Sequence, residues 1–162
     1  MLPMITIPLP ASSDLSGHAA TGLPLTGRDA LLALHTRTLD SLAGFETMVQ
    51  KAEPAFLMVA ESFRALHARH AASLAGYLAA NGHAAEATGS LMGTINQTVV
   101  SVRSWFDEID ADLMSSIRNG EAHVLRAFDA VLAQSLPATV VAGVSGMRDE
   151  LVSLLDRSPA VA

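Results

Sequence analysis

Five side chains in this sequence can ligate metals or move protons, and they sit where the local pattern calls for apolar residues. His70 falls within the run Phe63, Leu66, Leu74 and Tyr77, spaced three and four apart, and His67 lies one turn before it. His35 stands between Leu32 and Leu39. Glu121 is one turn from both Ile117 and Val124, and Glu150 belongs to the last apolar segment of the chain. Neutral imidazoles and carboxylates together suit Zn, Fe or Mn. The same side chains have a plainer use. A buried carboxylate is costly without a partner, and a histidine on an apolar face can serve as that partner, or bond to a backbone carbonyl. An arginine could equally pair with Glu121.

Helices must position these groups. Thr26 and Asp29 have the spacing of a capping box, so a first helix is expected over about 27–51, with Leu31, Leu34, Leu42, Phe45 and Val49 on one side. Pro54 suits the first turn of a second helix, expected over 54–81 and stopped by Asn81-Gly82. Ser90 can cap a segment over about 91–106. A helix over 110–134 carries Leu113, Ile117, Glu121, Val124, Phe128 and Val131, and one over 137–157 carries Val140, Val144, Met147, Leu151 and Leu154. The fold class is therefore all-α, a bundle over 26–158 made of two antiparallel hairpins joined by a long helical crossover. A 16-residue crossover helix would cover about 24 Å. Residues 1–25, rich in Pro and Gly, are expected to form a flexible tail. Folding the first helix onto the second about residues 52–53 brings His35 level with His70. If the crossover returns the chain to the start of the second helix, Glu121 comes level with His67, and Glu150 with Glu121.

Composition removes several function classes. There are no cysteines, which excludes thiolate zinc sites, iron–sulfur clusters and cysteine nucleophiles. The net charge is −6, Lys51 is the single lysine, and no basic run exists, which argues against nucleic acid and against a polybasic membrane anchor. No apolar run approaches the ~20 residues of a membrane span, and the apolar N-terminus has no positive residue before it and is broken by prolines. A cytoplasmic location is expected. Nothing resembles a phosphate-binding loop or a Ser-His-Asp order.

The order of several short stretches carries a resemblance. They are Asp40-Ser41-Leu42-Ala43-Gly44-Phe45-Glu46, the turn Ala52-Glu53-Pro54, Arg69 with Asn81-Gly82, Gly89-Ser90, and Arg118-Asn119-Gly120-Glu121 with Phe128. Over about 28–157 the chain resembles the ferritin-like bacterial four-helix proteins that remain a domain of unknown function. The resemblance implies a ferritin-like four-helix bundle and little about activity. Di-iron proteins of that architecture use Glu-x-x-His on two helices. No glutamate here is followed by histidine at the third position, so a full di-iron centre is not expected. Glu46 falls on a helix edge, more than 10 Å of helix rise from the histidine level. Asp107, Glu108, Asp110 and Asp112 suit a helix start.

The leading expectation is a non-catalytic bundle that acts through association, such as a stress or accessory protein, with no cofactor and as a homo-oligomer. Small residues at Gly143 and Gly146, and a segment Leu91–Trp105 with Met92, Ile95, Val99, Val100 and Val102 on more than one side, support it. The alternative is a metal-binding ferritin-like protein holding Fe, Zn or Mn at His35, His67, His70, Glu121 and Glu150. Coating of a membrane or a hydrophobic granule is disfavoured, because the polar faces lack basic residues.

Overall fold

A computed structural model describes residues 25–82 and 113–158. Within them the chain forms four helices: α1 (Leu25–Lys51), α2 (Pro54–Ala80), α3 (Leu113–Leu132) and α4 (Ala138–Arg157). No strand occurs among the described residues. The crossover helix expected over 91–106, the helix start expected near Asp110, and all but the last residue of the tail expected over 1–25 lie outside them; Leu25 itself opens α1. None of the described helices is long and apolar enough to cross a membrane.

Local chemistry sets the turns. Glu53 is extended (φ −60°, ψ 149°), Pro54 opens α2, and the Glu53 carbonyl accepts from the amides of Phe56 and Leu57 at 2.9 and 3.0 Å. Proline's missing N–H costs nothing in this first turn. At the other end, the Asn81 side-chain amide donates to the Tyr77 carbonyl at 2.7 Å, and Gly82 adopts φ 80°, a left-handed conformation that glycine reaches without Cβ strain. Pro137 precedes α4, and its carbonyl accepts from the amides of Val140 and Val141. The expected capping box does not bound α1: the helix already includes Leu25 and Thr26, and Asp29 is exposed. Helix ends are the least constrained part of a periodic pattern, since the core stripe begins only at Leu31.

The four helices form a closed square. α1 packs against α2 and α3, and α4 packs against α3 and more lightly against α2. The pairs α1–α4 and α2–α3 are therefore diagonals. Two contacts fix the direction of the second diagonal: His67 of α2 meets Glu121 of α3, and His70 of α2 meets Phe128 of α3. Both residue numbers rise together, so α2 and α3 run the same way. α2 and α4 run oppositely, with Tyr77 beside Gly143 and His70 beside Glu150. The end of α2 and the start of α3 thus lie at opposite ends of the bundle, and residues 83–112 join them.

The core is the sum of the four stripes. It holds Leu31, Leu34 and Phe45 from α1, Phe63, Leu74 and Leu78 from α2, Ile117, Val124 and Phe128 from α3, and Val144 and Leu151 from α4, each at most 2% exposed. Full burial of one such side chain stabilises by about 1.5–3 kcal/mol. α3 is sharply two-sided, with a polar ridge of Ser115, Ser116, Asn119, His123 and Arg126 outside. α2 is much less so, and its exposed positions include Ala55, Met58, Ala65, Ala68 and Ala72.

The helical glycines differ in purpose. A Cβ at Gly143 would overlap the Tyr77 hydroxyl and ring, so this glycine lets α4 approach α2 there. Among the described residues, nothing lies within 4 Å of the point where a Cβ would stand at Gly76 or Gly146. Arg118 reaches from α3 to the end of α4, donating to the carbonyls of Leu155 (3.1 Å) and Ser158 (2.9 Å). It thereby satisfies orphan carbonyls at a helix C-terminus, where a cation is also favoured by the helix dipole.

Candidate functional site

The stripe positions His67 and His70 put two imidazoles on the inner face of α2, one turn apart. His67 is fully buried and Glu121 is 1% exposed; they meet at 2.9 Å between Nε2 and Oε1, across the bundle diagonal. His70, also buried, meets the Glu150 carboxylate at 3.0 Å through Nε2. Glu150 is itself 55% exposed and accepts a second, longer bond of 3.4 Å from Arg69. The histidines belong to an aromatic column. Phe63 stacks on Phe45 at 4.9 Å, Phe45 on His67 at 5.6 Å, and the edges of His67 and His70 and of His70 and Phe128 meet at 6.4 and 6.0 Å.

The electrostatics follow from burial. Desolvation holds the His70 pKa below its ordinary 6.5, against the opposing pull of the Glu150 hydrogen bond. Desolvation also lowers His35, opposed by a hydrogen bond to the backbone of Ala71. The Glu150 carboxyl is lowered, chiefly by the hydrogen bond from His70 and then by Arg69. A neutral His70 therefore donates its Nε2 proton to a carboxylate. That assigns the tautomer, because the nitrogen facing the acceptor must carry the hydrogen.

Three buried atoms of the two pairs are left without a hydrogen-bond partner: Nδ1 of His67, Nδ1 of His70 and Oε2 of Glu121. Few buried polar atoms in folded proteins lack a partner. They are also the donor atoms a metal or a bound water would use. Their grouping is against a metal shell, however. Among the described residues no three of His, Cys, Asp or Glu lie together in a way that could hold one ion.

The five expected site residues thus divide into two His–Glu pairs and one separate histidine. His35 binds the Ala71 backbone, next to His70 in sequence but outside both pairs. Glu121 meets His67, while Glu150 meets His70 rather than standing at the Glu121 level. Arginine is not the partner of Glu121: Arg118 is committed to the end of α4. Glu46 is exposed. Two participants, Phe45 and Arg69, belong to the stretches that carry the resemblance but were not expected at the site. Phe45 reads only as another core position, and nothing in its spacing singles it out as the ring that covers His67. Arg69 is one residue before His70, and helix geometry turns it outward, where it closes on Glu150.

Residues 28–134 match the family model of a domain of unknown function, DUF2383. No curated protein and no solved structure matches the chain.

Proposed function

We propose, for a chain that belongs to the DUF2383 family of unknown function, a non-catalytic role as a helical bundle that acts by association with further copies of itself, as a stress or accessory protein would. One observation carries this reading. On the outer side of α2, Ala55, Ala65, Ala68 and Ala72 are exposed and Met58 is 77% exposed. A helix with apolar residues beyond its core stripe is ordinarily covered there too, and small side chains let another surface approach closely. The parallel run of α2 and α3, with two short-turned hairpins, supports the ferritin-like arrangement as the underlying architecture.

Light scattering of the full chain at tens of micromolar tests the reading. A dimer or larger species is expected, and Met58→Glu should shift it toward the monomer. A strict monomer across that range would remove the reading.

The runner-up reading, a ferritin-like protein that binds Fe, Zn or Mn through His35, His67, His70, Glu121 and Glu150, draws on the orphaned donor atoms of the two pairs, although among the described residues no three such groups lie together so as to hold one ion. Melting curves with and without Zn²⁺, Fe²⁺ or Mn²⁺ test it. Metal binding raises the wild-type midpoint, and Glu121→Gln abolishes the rise. A wild-type midpoint that no metal moves leaves this reading without support.

A further inference from the structure

The outer side of α2 carries a repeat of its own. Met58, Ser62, Ala65, Arg69, Ala72 and Gly76 follow one another at alternating steps of four and three. Gly76 is half-buried and the other five are exposed. Such a spacing, 3.5 residues on average, is that of a seam between two paired helices. The first four of these residues also line a groove of about 780 Å³ between α2 and α4, whose other wall includes Asp149, Ser153 and Arg157. We propose that this face binds a second copy of the chain, α2 against α2 in opposite directions, about a two-fold axis at the level of His67. The proposal rests on the self-association reading and gives it a face and a geometry.

Side-chain size fits that axis. Reversal about the level of His67 sets Met58 opposite Gly76 of the second copy, Arg69 opposite Ala65, and Ser62 opposite Ala72. Each of the two long side chains thus meets a short one. Among the described residues nothing lies within 4 Å of the point where a Cβ would stand at Gly76, which leaves room for Met58. A parallel pairing in register would instead set Met58 on Met58 and Arg69 on Arg69, bulk on bulk and like charge on like charge.

Charge selects the same axis from the other helix. α2 and α4 run oppositely with His70 beside Glu150, so the level of His67 on α2 is that of Ser153 on α4. Four charged side chains line the groove. Arg69 and Glu150 meet each other within the chain. The other two, Asp149 and Arg157, stand four residues on either side of Ser153. Reversal about that level sets Arg157 of each copy opposite Asp149 of the other, so the contact forms twice. Arg148, next to Asp149 in sequence, is engaged with Asp129 of α3 instead.

The extent of the face is adequate. From Ala55 to Ala79, α2 runs about 36 Å, and two adjacent helices present a width of about 20 Å. Each copy then offers about 700 Å², close to the roughly 800 Å² per partner of a standard stable interface. α1 presents a weaker case. Its apolar side chains beside the core, Leu32, Leu39, Leu42 and Val49, are half-buried, whereas Met58 is the large apolar side chain left exposed among the described residues.

The test exploits the lack of cysteines. Ala55→Cys and Ala79→Cys, both exposed and each twelve residues from His67, are made singly and together in the full chain and treated with a short bismaleimide. Within one chain the two sites are about 36 Å apart along the helix and cannot be bridged. Between antiparallel copies, position 55 of one adjoins position 79 of the other. A crosslinked dimer is expected from the double variant and not from either single variant. Single variants that crosslink as well as the double variant would overturn the proposal. So would a dimer in light scattering that none of the variants crosslinks; the copies would then meet elsewhere, or residues 83–112 would cover this face, and the association reading would stand. A strict monomer would remove both.

Exchanging the long and short side chains supplies a second readout. Gly76→Met spares the fold, since glycine is the poorer helix former, and should raise the dimer dissociation constant about tenfold or more. Adding Met58→Ala to the same chain should restore most of the affinity, because the long side chain again faces a short one. An unchanged dissociation constant in Gly76→Met, or no recovery in the double variant, would overturn the proposal.

Discussion

The two His–Glu pairs use the same residue types, one helical turn apart on α2, and live in opposite environments. His67–Glu121 crosses the diagonal of the core with both partners sealed from water. His70–Glu150 joins a sealed imidazole to a carboxylate that is 55% exposed and also bound by Arg69. Nδ1 of His67, Nδ1 of His70 and Oε2 of Glu121 are all buried and unmet, so the pairs differ at the carboxylate: solvent cannot reach Glu121. In the second, water can take the place of either partner of Glu150. Position in the bundle, rather than chemistry, therefore decides what each pair is worth.

The largest effect should come from breaking the sealed pair. His67→Ala leaves the Glu121 carboxylate buried alone and removes the ring stacked on Phe45. Losing one partner of a buried pair costs about 3–5 kcal/mol, and urea unfolding monitored by circular dichroism should register it. Replacing both partners with apolar residues, His67→Phe with Glu121→Leu, should recover most of that loss, because no desolvated polar atom remains. A double variant as unstable as His67→Ala would mean that cavity and shape, not the stranded carboxylate, set the cost.

Next in size is the point where α4 comes closest to α2. Gly143→Ala drives a methyl into the Tyr77 ring and hydroxyl, and overpacking of this kind costs about 1–3 kcal/mol. Tyr77→Phe combined with Gly143→Ala should recover part of it, because the hydroxyl is the nearest obstacle. A neutral Gly143→Ala would show that Tyr77 swings aside freely, and that the contact of His70 with Glu150 does more to hold α4 against α2 than this close approach does.

The stripes that define α2, α3 and α4 were legible because each core contact repeats every three or four residues, and the stops were legible because Asn81-Gly82 and Pro137 do chemically what their types require. The level of His35 followed from helix rise about the turn at residues 52–53, and that of Glu121 from helix rise together with the assumed direction of the crossover. What the pattern does not contain is lateral position. Periodicity says that Glu150 is near mid-height on α4, but its place at the edge of the square, beside His70 instead of Glu121, depends on how α4 rotates and where it sits. The same limit applies to Gly143 and Gly146. They are three residues apart in sequence, yet Gly143 meets Tyr77 and Gly146 faces the groove. The expected N-terminal cap failed for a different reason: a local two-residue signal cannot exclude further helical residues before it.

Acid acts on the second pair and on His35 through burial. His70 and His35 have pKa values lowered in the folded state, from 6.5 in each case, so the unfolded chain binds more protons as the pH drops. Stability from these two groups is full above pH 6.5 and is lost as the pH falls below it toward their folded values. Glu150, lowered from 4.5, acts with the same sign in a lower window: its contribution is present above pH 4.5 and lost as the pH falls through its folded value. Melting temperature measured from pH 8 to pH 4 should therefore be flat at the top, decline below about pH 6.5, and decline further below about pH 4.5. A midpoint that rises on acidification between pH 7 and pH 5 would contradict the burial of His35 and His70.

The smallest effect should come from the exposed carboxylate. Glu150→Ala removes the hydrogen bond to His70 and the contact with Arg69, but the carboxylate is more than half exposed and water can replace it at the His70 Nε2 atom. Such screened pairs contribute at most about 1 kcal/mol, so urea unfolding at pH 7 should change little. The acid limb should move more visibly. The Glu150 hydrogen bond is the strongest influence raising the His70 pKa against desolvation. Without it, His70 protonates at still lower pH, and ring-carbon NMR shifts of His70 followed against pH should titrate later than in the wild type. A Glu150→Ala loss as large as that of His67→Ala would mean that the His70 Nε2 atom is sealed from water after all, and the contrast between the two pairs would then vanish.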